Sequence, residues 1–215
     1  MRSTGEPLQI RVMVADDHPA MRRGLMTIIE AEPQMHVVAD VGSFQALVSA
    51  LARHETHVLI LDLIGMGAIP DVYIRNLKQA YPHLGIVVFS GEVDFVSEML
   101  EAGAAAYVVK SELEDDQVLL AIRAAKAGQR FLSPRAQEYV DCCAVQSDKY
   151  RLVPQEVRIL KLIAQGLDTK PVADYLGISY KTVHNYISKI RDKTGCTTRA
   201  HMVSWYRTVY GVVDR

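Results

Sequence analysis

Ile10-Arg11-Val12-Met13-Val14-Ala15-Asp16-Asp17-His18-Pro19 is an apolar run that stops at two carboxylates and a proline. The run reads as a buried strand, and helical spacing begins two residues beyond it at Met21. Asp17 is placed to cap that helix. A strand that ends in paired acids before a helix puts negative charge at its carboxyl end, where ligands bind in open parallel sheets. Working outward, strand patterns recur at 36–41, 58–61, 85–89 and 105–109, and helical spacing fills 44–54, 72–81, 93–102 and 113–127.

Five β/α units in about 118 residues is the size of a flavodoxin-like doubly wound (βα)5 domain. The strand rhythm stops after Ala127. Ser133-Pro134 opens a helix predicted through Val140, and a polar stretch follows at 146–150, so 128–151 reads as a linker carrying one helix. From Leu152 on, the pattern is purely helical: 154–165, 171–176, 180–193 and 198–210, separated by Gly166, Gly177 and Gly195. Helices this short bury little alone and pack as one small all-α bundle of four. The expected domains are thus 1–127 with its core at 10–127, the linker 128–151, and 152–215.

The formal net charge of −1 conceals a division. Residues 151–215 carry 11 Lys and Arg against 5 Asp and Glu, a balance of +6, whereas residues 1–150 carry 13 against 20, a balance of −7. A basic module behind an acidic one points to polyanion binding by the second. No stretch approaches a membrane span, and residues 1–9 lack the apolar core of a secretory signal, which predicts a cytoplasmic protein without membrane contact. Three cysteines, two of them the neighbours Cys142 and Cys143, favour reduced thiols and are too few for a structural zinc site.

In the first domain the strand ends carry Asp16 and Asp17, then Asp62, Ser90 and Lys110. In the strand order 2-1-3-4-5 the three carboxylates converge. At about 4 Å each pair repels by roughly 4 kcal/mol at the effective dielectric of a protein surface. A hard divalent cation relieves that repulsion, and few oxygen donors with room for water suit Mg²⁺. The same cation makes a carboxylate a feasible phosphoryl acceptor, with Lys110 and the Ser90 hydroxyl as partners for the phosphate. Singly, each residue reads as a helix cap or a solvated charge, and Tyr107 reads equally as core.

Together, Ala15-Asp16-Asp17-His18-Pro19, Leu61-Asp62-Leu63, Phe89-Ser90-Gly91 and Tyr107-Val108-Val109-Lys110 resemble the two-component receiver domain across the whole first domain. The resemblance implies that Asp62 accepts phosphate from a sensor histidine kinase. It implies that Asp16, Asp17, Asp62 and the Ile64 backbone carbonyl hold Mg²⁺, that Lys110 contacts the phosphoryl group, and that Ser90 and Tyr107 form the switch pair. Where receivers usually carry Met-Pro-Gly after the acceptor, this chain reads Leu63-Ile64-Gly65-Met66-Gly67, and Ser111 stands where Pro is frequent. That departure keeps a second reading open, a phosphorylation-independent regulator binding DNA constitutively or under control of a partner protein. A phosphatase of the haloacid dehalogenase type would need an acid two residues after Asp62, where Ile64 stands. A mononucleotide binder would want hydroxyl and glycine donors where Asp16-Asp17 instead repel phosphate.

In the second domain Ala173, Gly177 and Val183 have the spacing of a close helix crossing: a small residue, a left-handed turn and an apolar lock. On the predicted helix 180–193, Val183, Ile187 and Ile190 share one face, and Lys181, Asn185 and Ser188 point away from it, flanked by His184 and Lys189. Leu152-Val153-Pro154-Gln155-Glu156, Leu162-Ile163-Ala164-Gln165-Gly166 and Ile178-Ser179-Tyr180-Lys181-Thr182-Val183 resemble the LuxR-type helix-turn-helix, and the whole chain resembles response regulators of the NarL/FixJ class. By that resemblance His184, Asn185 and Ser188 face bases, and Lys181, Thr182, Lys189 and Lys193 hold phosphates. A transcription regulator of this class acts as a homodimer on paired half-sites and has RNA polymerase as a further partner. One short recognition helix contacts too few base pairs alone. The last helix offers Met202, Val203, Tyr206, Val209 and Tyr210 as an apolar seam, shared between core and partner.

Overall fold

The computed structural model describes residues 9–62, 70–112 and 114–210. They form two compact units, divided between Glu138 and Tyr139.

In the first unit, six parallel strands lie in the order β2-β1-β3-β4-β5-β6, with β1 Ile10–Ala15, β2 Met35–Val41, β3 Val58–Asp62, β4 Gly85–Ser90, β5 Ala106–Val109 and β6 Phe131–Leu132. Every residue of β3, β4 and β5 is buried, because helices cover both faces of a parallel sheet. The helices are α1 Pro19–Glu30, α2 Phe44–Leu51, α3 Pro70–Ala80, α4 Val96–Ala102 and α5 Asp115–Lys126. Leu25 and Ile29 of α1 and Val118 and Ile122 of α5 close one face over Val12, Ile60, Phe89 and Val108. The helix α1 starts at Pro19, earlier than helical spacing suggests, since proline fits a first helical position that needs no N–H.

The stretch expected as a linker is instead partly sheet. Phe131 N–H donates to the Ala105 carbonyl at 3.1 Å and Ser133 N–H to the Tyr107 carbonyl at 2.9 Å, which extends the sheet by a strand of two residues. Two residues cannot display an alternation, so the pattern gave no strand there. The following helix, α6 Pro134–Tyr150, runs through the polar stretch to its end rather than stopping near Val140.

The second unit holds the end of α6 and four further helices, α7 Pro154–Ala164, α8 Thr169–Leu176, α9 Tyr180–Thr194 and α10 Arg199–Tyr210. Ile159, Leu160, Val172, Val183, Ile190, Met202 and Tyr206 build its core, and Cys143 and Tyr150 of α6 pack against it. The α8–α9 turn has the expected stereochemistry. Gly177 takes φ 64°, and Ile178 N–H reaches back to the Ala173 carbonyl at 3.1 Å, a left-handed cap that only glycine adopts without strain. Ser179 opens α9 by accepting the Thr182 N–H at 3.1 Å. Most of the α10 seam is spent internally: Met202, Tyr206 and Tyr210 are buried, while Val203 and Val209 are half-buried beside them. The three cysteines are free thiols.

Gly85 opens β4 against the end of α5, and a Cβ there would stand 2.6 Å from the Ala125 carbonyl oxygen. Backbone cannot yield as a side chain does, so Gly85→Ala is expected to destabilise the first unit by about 1–3 kcal/mol in urea unfolding. Gly24, inside α1 with open space around it, is the control. Gly24→Ala is expected to stabilise by about 0.5–1 kcal/mol, and a neutral Gly85→Ala would show that α5 is not held against β4.

Candidate phosphoacceptor site and nucleic-acid interface

The parallel register brings the ends of β1, β3, β4 and β5 to one rim. Asp16 follows β1 and is 1% exposed; Asp62 is the last residue of β3 and 3% exposed; Ser90 ends β4 and is buried. Asp17 is exposed beside them. One ligand atom from each of Asp16, Asp17, His18 and Asp62 lies within 4.8 Å of the others. Lys110, the first residue after β5, places its Nζ 2.9 Å from Asp16 Oδ2 and 2.9 Å from Asp62 Oδ2, and 5.5 Å over the Phe89 ring. Burial pulls the Lys110 pKa down, but its hydrogen bonds and charge pairing with Asp16 and Asp62 outweigh that and hold it above the ordinary lysine value. Asp16 is fixed further by the His18 N–H, which donates to Oδ1 at 2.7 Å, and by Arg22, which donates to its carbonyl at 2.7 Å. His18 Nδ1 sits 2.6 Å from Asp17 Oδ1.

Three carboxylates share the rim with one half-buried ammonium, which leaves it net negative, and their hard oxygens are a donor set suited to a small divalent cation. Ile64 lies outside the described residues.

Tyr107 is wholly buried within β5 and donates its hydroxyl proton to the Glu92 carbonyl, on the loop after β4. Burial above all raises its pKa beyond the ordinary phenol value; a hydrogen bond with Ser90 works the other way, and the charges of Asp94, Glu98 and Glu92 add to the rise. The Ser90 hydroxyl also accepts the Glu92 N–H at 3.2 Å. The expected pair is therefore in one hydrogen-bonded group with the backbone of the β4–α4 loop.

On the second unit, Val183, Ile187 and Ile190 of α9 are buried, while Lys181, His184, Asn185, Ser188 and Lys189 are exposed along its other side. Thr182 is half-buried, with its hydroxyl 2.8 Å from that of Ser179. Lys193, also exposed, is engaged in an ion pair. Its Nζ is 2.6 Å from Oε2 of the buried Glu156, and the same oxygen accepts the Val153 N–H at 2.9 Å. Tyr180, absent from the sequence-derived set, is 54% exposed at the first position of α9, and its ring centroid lies 4.4 Å from that of His184. The i, i+4 spacing of two rings was the available signal.

Residues 12–124 match the response regulator receiver domain, and residues 151–206 match the luxR family of bacterial regulatory proteins. The chain is a response regulator. It belongs to the NarL/FixJ class, as a receiver joined to a LuxR-type DNA-binding module. The regulator is 31% identical over 201 residues to the nitrate/nitrite response regulator protein NarP of Escherichia coli, covering 90% of this chain and 93% of that one. It is 28% identical over 201 residues to the DNA-binding transcriptional activator DevR/DosR of Mycobacterium tuberculosis, covering 88% and 90%. Among solved structures, RcsB from Salmonella enterica serovar Typhimurium bound to promoter rprA with phosphomimetic BeF3⁻ superposes at TM-score 0.64 with 25% identity, covering 92% of this regulator and 98% of that chain. Two RcsB dimers bound to two parallel DNAs give TM-score 0.62 at 25% identity, covering 94% and 99%. Among the described residues no helix is long and apolar enough to cross a membrane.

The Lys193–Glu156 pair ties the end of α9 to the start of α7. Lys193→Met leaves a buried carboxylate without its cation and is expected to cost about 2 kcal/mol, below the range for fully buried pairs because Lys193 is partly solvated. The salt dependence of DNA binding is expected to keep its slope. A slope reduced by about one unit would put Lys193 among the phosphate contacts.

Proposed function

We propose that this regulator is switched by phosphorylation of Asp62 by a sensor histidine kinase, and that the switch governs transcription through paired α9 helices on DNA. The observation that carries the reading is the Lys110 ammonium 2.9 Å from both Asp62 and Asp16, in a pocket whose remaining ligand atoms all lie within 4.8 Å. Asp62 is the acceptor. One of its oxygens attacks phosphorus, the bond from phosphorus to the donor imidazole nitrogen breaks, and the electron pair leaves with that nitrogen. Lys110 then pairs with the phosphoryl oxygens in place of one carboxylate bond, and Ser90 offers them its hydroxyl. Asp16, Asp17 and Asp62, with the Ile64 carbonyl, are the residues to hold Mg²⁺, which when bound supplies charge neutralisation at the phosphoryl oxygens. His18 suits an outer role, bonded to Asp17 as second-sphere histidines and carboxylates are.

An aspartyl phosphate carries about −1.5 to −2 charge in place of −1. When Ser90 turns toward it, the hydrogen-bonded group of Ser90, Tyr107 and Glu92 loses a member, and the β4–α4 loop is free to change with the Tyr107 rotamer. His184, Asn185 and Ser188 read base edges, while Lys181, Thr182 and Lys189 hold phosphates. Binding as a homodimer doubles the number of bases read and sets half-sites about one helical turn apart. RNA polymerase is the downstream partner and the cytoplasm the compartment. Any phosphatase activity of the receiver toward its own Asp62 belongs to the same pocket; the regulator is otherwise not an enzyme.

Incubation of the full chain with Mg²⁺ and acetyl phosphate is expected to add one phosphoryl mass, shift the oligomeric state and tighten DNA retention, and Asp62→Asn is expected to abolish all three. A wild type that gains no mass yet binds DNA equally well would favour the phosphorylation-independent regulator instead. On DNA, Lys181→Ala and Lys189→Ala are each expected to reduce the salt slope by up to about one unit through lost counterion release. An unchanged slope would strike them from the contact set.

A further inference from the structure

Beyond β5 the chain makes a tight 3-10 turn, Lys110–Glu112, that reaches in two directions. Lys110 points into the acidic pocket. Two residues later Glu112 reaches the start of α6: its Oε2 accepts the Ser133 hydroxyl proton at 2.6 Å, and its two oxygens accept the Arg135 N–H at 3.0 and 3.2 Å. That N–H is one of the orphan donors of a helix N-terminus, ordinarily satisfied by the side chain of the residue before the helix. Here that residue is Ser133, which is wholly buried and already accepts the Val109 N–H at 3.2 Å. Arg135 closes the group by donating to the Ser111 hydroxyl at 2.6 Å.

Residues 107, 109, 111 and 112 are thus each bonded to 133 or 135. A helix whose later residues belong to the second unit is capped by the turn that carries the phosphosite lysine, not by its own cap residue. The charge suits the place, since an anion is favoured at the positive end of a helix. A cap whose only task was to end the helix properly would need no carboxylate from this turn, because Ser133 has the right chemistry and the right position.

We propose that Glu112 is a positioning residue that couples Lys110 to the first turn of α6. Its carboxylate holds the 110–112 turn in one register with Ser133 and Arg135, so a displacement of Lys110 toward a phosphoryl group moves the cap of α6. The proposal deepens the phosphosite reading and rests on it for the role of Lys110.

The test is hydrogen exchange of the α6 amides at 135–138 in the full chain without phosphate, for wild type, Lys110→Ala, Glu112→Ala and the double variant. Glu112→Ala is expected to speed exchange there about fivefold, the loss of one cap. Lys110→Ala is expected to speed it about threefold where Glu112 is present and to add nothing where it is absent, as coupled positions behave. Glu112→Gln keeps one acceptor oxygen and the fold, and is expected to give a smaller change in the same direction; it carries the test if Glu112→Ala does not fold. A second readout is the rate of Asp62 phosphorylation by acetyl phosphate, which Glu112→Ala is expected to slow severalfold with the melting temperature of the second unit unchanged. The proposal is overturned if Lys110→Ala leaves exchange at 135–138 untouched, or raises it equally in both backgrounds. Because the exchange measurement uses no phosphate, that result is separate from a failure of Asp62 to gain mass.

Discussion

One ammonium holds the receiver's rim together. Lys110 lies 2.9 Å from each of two carboxylates that are almost wholly withdrawn from water, Asp16 and Asp62, and these belong to different strands. Buried carboxylates of the same sign repel strongly where the local dielectric is low, and they persist side by side only when a cation stands between them. The sheet order makes the arrangement possible, since β1 and β3 are neighbours, while Lys110 must reach across from β5. On the proposed reading that long side chain is what phosphorylation moves, because phosphoryl oxygens compete for the three N–H donors that pair with the two carboxylates.

Seen from that lysine, the rest of the first unit is a set of supports. Phe89 lies under the ammonium, Arg22 fixes the Asp16 carbonyl, and Tyr107 fills the interior of β5 while its hydroxyl anchors the loop after β4. The turn after Lys110 is tied to Ser133 and Arg135. On the proposed reading two outlets leave the pocket, one through Ser90 and Tyr107 to a surface loop, the other through Glu112 to a long helix. The first depends on a rotamer and the second on a cap, and neither requires the sheet itself to deform, which close-packed strands resist.

The alternation of strand and helix, the carboxylates at the strand ends and the buried stripe of α9 were all legible in the sequence, because each is a repeat or a local adjacency. Asp16 beside Asp17, Val183 with Ile187 and Ile190, and Gly177 at its turn needed only spacing to be placed. What escaped is long-range and short in extent. Phe131–Leu132 pairs with β5 through backbone atoms that no side-chain pattern reports. Glu112 is 21 residues from Ser133, and Glu156 is 37 residues from Lys193. An exposed-looking lysine in a basic helix gives no sign that a buried glutamate waits for it. Position on a helical wheel says which way a side chain starts, not where a four-carbon stem ends.

The same limit applies to net charge. The excess of +6 in residues 151–215 overstates what DNA would meet. Lys193 is engaged by Glu156; Arg199 bonds the Leu167 carbonyl and lies 3.9 Å from Asp168; Lys161 is buried. The exposed cations of α9 are Lys181, Lys189, Arg191 and Lys193, the last paired with Glu156, and Asp192 stands beside them. Each phosphate contact releases about one counterion, so the few cations of α9 support weak attachment per chain with a shallow salt dependence. On the proposed reading, discrimination then comes from the short polar side chains of α9 and from a second copy of the same helix on a neighbouring half-site. Part of the basic surplus of residues 151–215 is therefore engaged within the fold, and less of it is open to a polyanion than composition implies.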